Sequence, residues 1–333
     1  MGDTTPRIAT VIPLYNGAPY IVEALNSVLA QTLPPAEIIV VDDGSTDDGP
    51  AIVRRMAASH PITLLHKANG GQSSARNFGI AHCTCDLIAL LDQDDIWYPN
   101  HLQELAKPFL RPRQPELGWV YSNLDEIDAE GRVVVRGCLR LSSAEHPKRD
   151  LFGCLRTDMF VLPSASLISR KAFAAVGGFD EALSGYEDDD LFLRLFRAGY
   201  DNRYIDRPLG QWRIYGTSAS FSARMAVSRM TFMRKLLATC PDDPARERYI
   251  ARDFIAPRFF PWLIAEYVRA AQSRNPEAIR AAFRNLQFLV RLHKFKVRVL
   301  MGMVLPWLRF PIVAVALSPA IPALRPIFRR VLR

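Results

Sequence analysis

Two short apolar runs of this chain end directly in clusters of acidic residues. The sequence EIIVV (residues 37–41) is followed by DDGSTD (42–47), and DLIALL (86–91) is followed by DQDD (92–95). An apolar run of about five residues bounded by turn signals is typical of a strand buried on both faces of a parallel sheet. Because ligands of such sheets bind outside the carboxyl ends of the strands, both clusters are predicted to lie where a ligand binds.

Throughout the first 125 residues, apolar runs alternate with amphipathic stretches of about ten residues. This alternation predicts strands at residues 8–14, 37–41, 62–66, 87–91 and 118–124, and helices at 20–31, 49–59, 73–82 and 99–110. Strands that alternate with helices are typical of βαβ units and a parallel sheet. This part of the chain is therefore predicted to have an α/β fold, with a Rossmann-like sheet flanked by helices.

The pattern becomes less regular after residue 125. Strands are predicted at 133–135 and 164–169, a helix at 189–197, and a strand pair over 201–214 with a turn near Arg207 and Pro208. From residue 219 the chain is predicted to be mostly helical. The charge balance also changes, since residues 223–333 hold 21 Lys and Arg against 6 Asp and Glu. Two domains are therefore predicted, residues 1–218 and residues 219–333.

The acidic clusters at the strand ends need a cation or hydrogen-bond donors, because adjacent carboxylates repel one another. Asp42 and Asp43 exceed what a turn requires and are predicted to be functional, whereas Asp47 is interpreted as a cap for the next helix. In an extended segment Asp92 and Asp94 would share one face, where they could bind Mg²⁺ or Mn²⁺ with a diphosphate. The alternative for residues 92–95 is a solvated acidic turn.

Two further segments contribute to the predicted site. The sequence NGGQSSARN (69–77) is predicted to offer free backbone N–H groups at a helix start, with Arg76 one turn into the helix. Alternatively, Arg76 pairs with an aspartate at the strand ends. The sequence EDDD (187–190) precedes a helical stretch, whose dipole favours acids at that end. Asp190 and Arg194 are spaced to pair along this helix, and one of the other acids is a candidate general base.

Taken together, six motifs resemble those of family 2 glycosyltransferases. They are VIPLYN (11–16), VDDGSTD (41–47), ARNFG (75–79), LDQDD (91–95), GGFDE (177–181) and EDDDL (187–191), and they keep the family's order over roughly residues 7–215. The resemblance implies a GT-A fold and a nucleotide-diphospho-sugar donor. It also implies transfer to an acceptor hydroxyl with inversion at the anomeric carbon.

The resemblance also implies roles for individual residues. Asp188 matches the catalytic base, and Asp92 and Asp94 match the DxD motif, with Asp94 as the direct ligand of Mn²⁺ or Mg²⁺. Donor-binding residues by the same pattern are Pro13, Tyr15, Asp43, Arg76 and Asp92, with Asp43 meeting the nucleoside base.

One position departs from the family pattern. Many members carry a histidine that can reach the metal, where this chain has Tyr215. A phenol is a poor Mg²⁺ ligand at neutral pH because its pKa lies near 10. This departure leaves open an alternative, a catalytically weak nucleotide-sugar-binding protein of the same fold.

In the last part of the chain, basic residues alternate with apolar stretches. Residues 278–333 contain 11 Lys and Arg and no Asp or Glu, and the apolar stretches 299–308 and 310–324 are interrupted by prolines. These stretches are too broken for a membrane span but fit a segment lying in the membrane interface. The alternative is a helical tail packed on the catalytic domain. No basic-aromatic motif favours nucleic acid as a partner.

The cysteines and the N-terminal residues bear on localisation. The five cysteines form no CxxC pair, and the first residues lack a basic segment followed by an apolar one. We therefore expect reduced thiols and a cytoplasmic protein, peripheral on the inner face of the plasma membrane. The expected acceptor is a glycan or a lipid-linked sugar, and the expected role lies in cell-surface polysaccharide or glycolipid synthesis.

Overall fold

The computed structural model of this chain describes residues 6–111, 114–214, 223–273, 275–308 and 310. Its strands are β1 Ile8–Leu14, β2 Glu37–Asp42, β3 Ile62–His66, β4 Leu87–Leu90, β5 Ile96–Trp97, β6 Leu117–Ile127, β7 Val133–Val135, β8 Ser166–Ser169 and β9 Asp201–Arg213. Its helices are α1 Ile21–Leu29, α2 Gly49–Ala57, α3 Gln72–Ala81, α4 His101–Ala106, α5 Leu151–Arg156, α6 Arg170–Ala175, α7 Glu187–Arg197, α8 Ala223–Thr239, α9 Ala256–Ser273, α10 Pro276–Leu292 and α11 Phe295–Leu308.

The strands form one mixed sheet in the order β3-β2-β1-β4-β8-β6-β9-β5, with β7 paired to β6. The first four strands are parallel, as predicted from the alternation of strands and helices. Strand β8 runs antiparallel to both β4 and β6, and β5 runs antiparallel to β9. The prediction of a parallel sheet is therefore correct for β1 to β4. Beyond them the sheet is mixed, since β6 is antiparallel to β8 and parallel to β9.

Both faces of the parallel half are covered by helices. All seven residues of β1 are buried, as expected for a strand with helices on both sides. On one face, α1, α2 and α4 pack through Leu25, Val53 and Leu102. On the other face, α3 comes so close that a Cβ on Gly79 would lie 2.5 Å from a Val11 methyl carbon. Glycine is required at that position because the helix could not otherwise reach the sheet.

Strand β9 corrects the predicted strand pair over residues 201–214. It is continuous, but its register with β6 jumps from Ser122 opposite Ile205 to Asn123 opposite Pro208. The extra residues form a bulge, and the Asp206 carboxylate there accepts hydrogen bonds from Asn123 at 3.0 Å and Arg140 at 2.9 Å. The signal near Arg207 and Pro208 therefore marks a bulge, a place where a strand tolerates proline.

The chain divides into two compact units. The first comprises the chain up to Cys154 together with Met159–Ser228, and the second comprises Leu155–Asp158 and the chain from Arg229 onward. The predicted boundary between residues 218 and 219 lies outside the described residues and stays a prediction.

The second unit is helical, as expected. Tyr267 and Ala271 of α9 pack against Ala282 of α10, and the Arg229 guanidinium forms a buried ion pair with Glu266. Among the described residues, no helix has the length and apolar character needed to cross a membrane.

Candidate active site

Residues 92–95, at the carboxyl end of β4, form a tight turn. The Asp95 N–H donates to the Asp92 carbonyl at 3.1 Å, so the segment is a closed turn. The prediction of an extended segment is therefore wrong. The Gln93 side chain accepts from the Tyr15 N–H at 2.8 Å and donates to the Tyr15 carbonyl at 3.1 Å. The turn is therefore tied to the end of the neighbouring strand β1.

Arg213, at the end of β9, fixes the other side of this turn. Its backbone N–H donates to Asp95 Oδ1 at 3.0 Å, and its Nε donates to the Asp94 carbonyl at 2.9 Å. Its Nη2 also lies 2.6 Å from Glu23 Oε2, and the guanidinium is almost fully buried. No role was predicted for Arg213 from the sequence. The signal that could have revealed it is an arginine at the end of a predicted strand.

The Arg76 guanidinium joins the two acidic clusters. Its Nη2 donates to Asp92 Oδ1 at 2.6 Å, and its Nη1 donates to Glu187 Oε1 at 3.1 Å. Burial disfavours the charged guanidinium, but the carboxylates of Asp92 and Glu187 outweigh that cost and raise the pKa of Arg76. The alternative interpretation, pairing with an aspartate at a strand end, is therefore confirmed. Direct contact between Arg76 and a donor stays a prediction.

Replacing Arg76 by lysine is expected to lower the free energy of unfolding by about 1–3 kcal/mol, because an ammonium cannot hold both carboxylates and one would lose its buried donor. Thermal and urea unfolding would measure the loss. Arg54→Lys is the matched control, since Arg54 is exposed on α2. Equal stability of the two variants would contradict the bridging role.

The four acids at the start of α7 have different environments. Asp190 pairs with Arg194 at 2.7 Å, as predicted, and Asp189 Oδ1 accepts from the Met159 N–H at 3.0 Å. Glu187 is held by Arg76, so these three buried carboxylates have structural contacts. Asp188 is only half-buried, and its Oδ1 accepts the neighbouring Asp189 N–H at 2.8 Å. Its partial exposure makes Asp188 the acid of this cluster best placed to meet a substrate.

Asp43 and the glycine turn before α3 are bonded to each other. Asp43 Oδ1 accepts from the Gly70 N–H at 2.9 Å and from Lys67 Nζ at 2.8 Å, and Oδ2 accepts from the Gly71 N–H at 2.7 Å. The expectation of free N–H groups in this turn is therefore wrong for Gly70 and Gly71. Gly71 has a φ of +87°, a conformation that other residues rarely adopt. Contact between Asp43 and a nucleoside base stays a prediction.

The carboxyl ends of β1 and β2 lie next to each other in the sheet. Asp47 Oδ1 accepts from the Gly49 N–H at 3.0 Å, which agrees with the predicted turn role, but the N-cap residue of α2 is Asp48 and Asp47 Oδ2 also accepts from the Ala18 N–H at 2.8 Å. Pro13 lies opposite Val41 in the β1–β2 register, and the Tyr15 side chain is 48% exposed. Both residues thus lie at the carboxyl edge of the sheet. Their predicted contact with the donor stays a prediction.

The carboxylates of the 92–95 turn fit a divalent cation shared with a substrate. Asp92 Oδ1 already accepts from Arg76 and from Gln72 Nε2. Asp95 Oδ2 is buried, and within the described part of the chain it has no hydrogen-bond partner. Burial, together with the nearby Asp94 and Asp92 charges, raises the pKa of Asp95. Mg²⁺ and Mn²⁺ accept one or two carboxylates with phosphate oxygens and water, so Asp94 and Asp92 suit such a site.

No complete metal cage is present among the described residues, since they contain no group of three or more His, Cys, Asp or Glu side chains arranged to hold an ion. Tyr215, the position that departs from the family pattern, lies outside the described residues.

One known protein family matches the first half of the chain. The sequence model of glycosyl transferase family 2 matches residues 10–177, about half of the chain. The chain belongs to glycosyl transferase family 2. The family resemblance drawn from the six motifs is therefore confirmed.

Relatives of the family match the same part of the chain. An uncharacterized glycosyltransferase of Rickettsia felis is 33% identical over 202 residues, covering 58% of this chain and 32% of the relative. Chondroitin synthase of Escherichia coli is 30% identical over 195 residues, covering 58% of this chain and 27% of the relative. The match thus spans a third or less of the length of these two relatives.

Solved structures show the same fold. S. aureus TarS in complex with UDP-GlcNAc aligns with a TM-score of 0.65 at 17% identity, covering 92% of this chain and 88% of that chain. The mannosyltransferase PcManGT from Pyrobaculum calidifontis, in complex with GDP-Man and Mn²⁺, aligns with a TM-score of 0.52 at 22% identity, covering 95% and 86%. The predicted fold, a GT-A-type sheet followed by a helical region, is confirmed.

Proposed function

We propose that this protein is an inverting glycosyltransferase, which moves a sugar from a nucleotide-diphospho-sugar to a hydroxyl acceptor. The observation that carries the proposal is the Arg76 bridge. It connects Asp92, beside the candidate metal ligand Asp94, with Glu187, beside the candidate base Asp188. On this proposal, the leaving-group site and the proton acceptor each adjoin a carboxylate that one buried guanidinium holds. Family membership supports the same reaction class.

On this proposal the donor binds across the carboxyl ends of β1, β2 and β4. Pro13, Tyr15 and Asp43 would hold the nucleoside, while Asp94 and Asp92 would hold Mn²⁺ or Mg²⁺. When bound, the metal supplies positive charge that stabilises the departing diphosphate. The hydrogen bonds of Gln93 and Arg213 keep the aspartate turn in one conformation before substrate arrives.

Asp188 is the proposed general base. Its carboxylate accepts the proton of the acceptor hydroxyl while that oxygen attacks the anomeric carbon from the face opposite the diphosphate. Glu187 and Asp189, on either side of it, are fixed by Arg76 and by the Met159 N–H. Asp188 is therefore presented from a rigid helix start, and correct positioning of this kind contributes strongly to rate.

The acceptor is proposed to be a glycan or a lipid-linked sugar in cell-surface polysaccharide or glycolipid synthesis. The motivation is the similarity to chondroitin synthase, whose name denotes synthesis of a polysaccharide.

The alternative is a catalytically weak nucleotide-sugar-binding protein of this fold. Release of nucleoside diphosphate from UDP-, GDP- and dTDP-sugars, measured with and without Mn²⁺, separates the two. An active transferase is expected to release nucleoside diphosphate from at least one donor in a Mn²⁺-dependent manner. Donor binding without release from any of them would instead support the alternative.

We also propose peripheral contact of the helical unit with an anionic membrane. Helix α11 buries Val297 and Met301 on one face, and its opposite face exposes an apolar stripe. The exposed residues of this stripe are Phe295, Val299, Met303, Trp307 and, just beyond the helix, Phe310, each between 46% and 75% exposed. The surrounding sequence from 278 to 333 is basic and lacks acids. An apolar stripe with basic flanks suits the interface of an anionic bilayer.

The triple variant Phe295→Ser, Met303→Ser, Trp307→Ser is expected to bind anionic liposomes about 100-fold more weakly, since each apolar side chain contributes about 1 kcal/mol when partly inserted. Sedimentation with phosphatidylglycerol vesicles measures the loss. Leu141→Ser, which alters an apolar side chain 76% exposed in the other unit, is the control. Equal sedimentation of the triple variant and wild type would contradict membrane contact through this stripe.

A further inference from the structure

Glu126 of β6 and Trp212 of β9 are neighbours on one face of the sheet. The two strands are parallel there, and these residues lie directly opposite each other in the register. Partner residues of paired strands project their side chains to the same face. Both side chains are partly exposed, so an aromatic ring and a carboxylate are adjacent at the surface of the first unit.

Phe160 adds a second aromatic ring. It meets Trp212 edge-on, with ring centroids 6.4 Å apart and an interplanar angle of 80°. Its φ is +51°, which is an outlier for a bulky residue and is typical of backbone held for a functional reason. The preceding residue, Met159, donates its N–H to Asp189 in the start of α7. Phe160 therefore directly follows a residue that is hydrogen-bonded to Asp189, the neighbour of Asp188 in the chain.

Glu126 is short of hydrogen-bond donors. Among the described residues, the Glu126 side chain takes part in no hydrogen bond or ion pair. Burial raises the pKa of its carboxyl above the ordinary value. A partly buried carboxylate can accept up to about four hydrogen bonds. The donors it lacks could come from the hydroxyl groups of a ligand.

We propose that Phe160, Trp212 and Glu126 form the subsite that binds the acceptor sugar. The apolar face of a pyranose ring packs on Trp212 and against the edge of Phe160, and its hydroxyls donate to Glu126. The carboxylate repels an acidic sugar, so the subsite selects a neutral one. The proposal rests on the proposed function, since it places this sugar next to Asp188.

Direct binding of simple sugars tests the subsite without any turnover. The probes are the methyl glycosides of glucose, galactose, mannose and N-acetylglucosamine, with methyl glucuronoside as the acidic comparator, titrated by saturation-transfer NMR. At least one neutral glycoside is expected to bind more tightly than the glucuronoside. Glu126→Gln and Trp212→Ala are each expected to weaken that binding about tenfold, as for loss of one charge-assisted hydrogen bond or one ring contact.

Glu130→Gln is the control, because Glu130 is an exposed acid on the turn that follows β6. Two results would overturn the subsite, namely failure of every neutral glycoside to bind, or unchanged binding by the folded Glu126→Gln protein. Thermal unfolding of each variant shows whether it is folded. Absence of nucleoside diphosphate release by wild type would instead overturn the proposed function. The sugar-binding titration does not depend on turnover and would still test the subsite.

Discussion

Replacing Asp188 by asparagine is expected to lower turnover by about 10²–10⁴-fold, the usual contribution of a general base. The amide keeps the size of the side chain and the contact with the Asp189 N–H, so the fold and the donor affinity should be retained. Initial rates of nucleoside diphosphate release, with donor affinity from calorimetry, would measure both quantities. Turnover like that of wild type would show that Asp188 is not the base.

Asp190→Asn is the matched control for this substitution. Asp190 lies two residues along the same helix but is buried against Arg194, which is 2.7 Å away. Its replacement is expected to lower the free energy of unfolding by about 1–3 kcal/mol, because Arg194 loses a charged partner. Turnover per folded molecule should be unchanged. A loss of turnover equal to that of Asp188→Asn would mean that the whole helix start, rather than one carboxylate, is responsible.

Replacing Asp94 by asparagine is expected to abolish the Mn²⁺ dependence of nucleotide binding, with a loss of affinity of about 10²-fold or more in the presence of metal. A neutral amide lacks the charge that holds a hard divalent cation. The fold should tolerate the change, because the turn is held through the main chain by Arg213 and through Gln93. Calorimetric titration of UDP and GDP with and without Mn²⁺ gives the comparison.

Asp48→Asn is the control for Asp94→Asn. Asp48 is exposed at the start of α2, and its replacement makes the same change in charge. Its metal dependence should match that of wild type. An unchanged Mn²⁺ effect in Asp94→Asn would remove Asp94 from the metal site.

The parallel half of the sheet and its acidic edge could be predicted from the sequence because the signals there are local. Runs such as EIIVV and LIALL are buried strands, and the acids that follow them must lie at the carboxyl edge. The spacing of Asp190 and Arg194 likewise predicts their ion pair. In each case residues within one element determine the outcome.

The remaining features depend on contacts between distant parts of the chain. Arg213 holds a turn that lies more than a hundred residues earlier, and Gln93 pairs with the backbone of Tyr15. The extended conformation expected for residues 92–95 was wrong because these contacts and the Asp92–Asp95 hydrogen bond close the segment.

Two other expectations were wrong for the same reason. The N–H groups of Gly70 and Gly71 appeared free in the sequence, but the Asp43 carboxylate occupies them. The signal at Arg207 and Pro208 suggested a chain reversal, whereas pairing with β6 keeps the strand continuous and accommodates the extra residues in a bulge. In both cases, tertiary contacts decide how a local turn signal is used.

The most direct test of catalysis with inversion is the configuration of the sugar first released from an α-linked donor. Proton NMR of reactions with UDP-GlcNAc, GDP-mannose and dTDP-glucose follows the anomeric signals before mutarotation sets in. If Asp188 directs attack opposite the diphosphate, a donor that the enzyme accepts yields the β-anomer first, in a Mn²⁺-dependent reaction that Asp188→Asn slows. Release of the α-anomer first, or release that does not depend on Asp188, would contradict the mechanism.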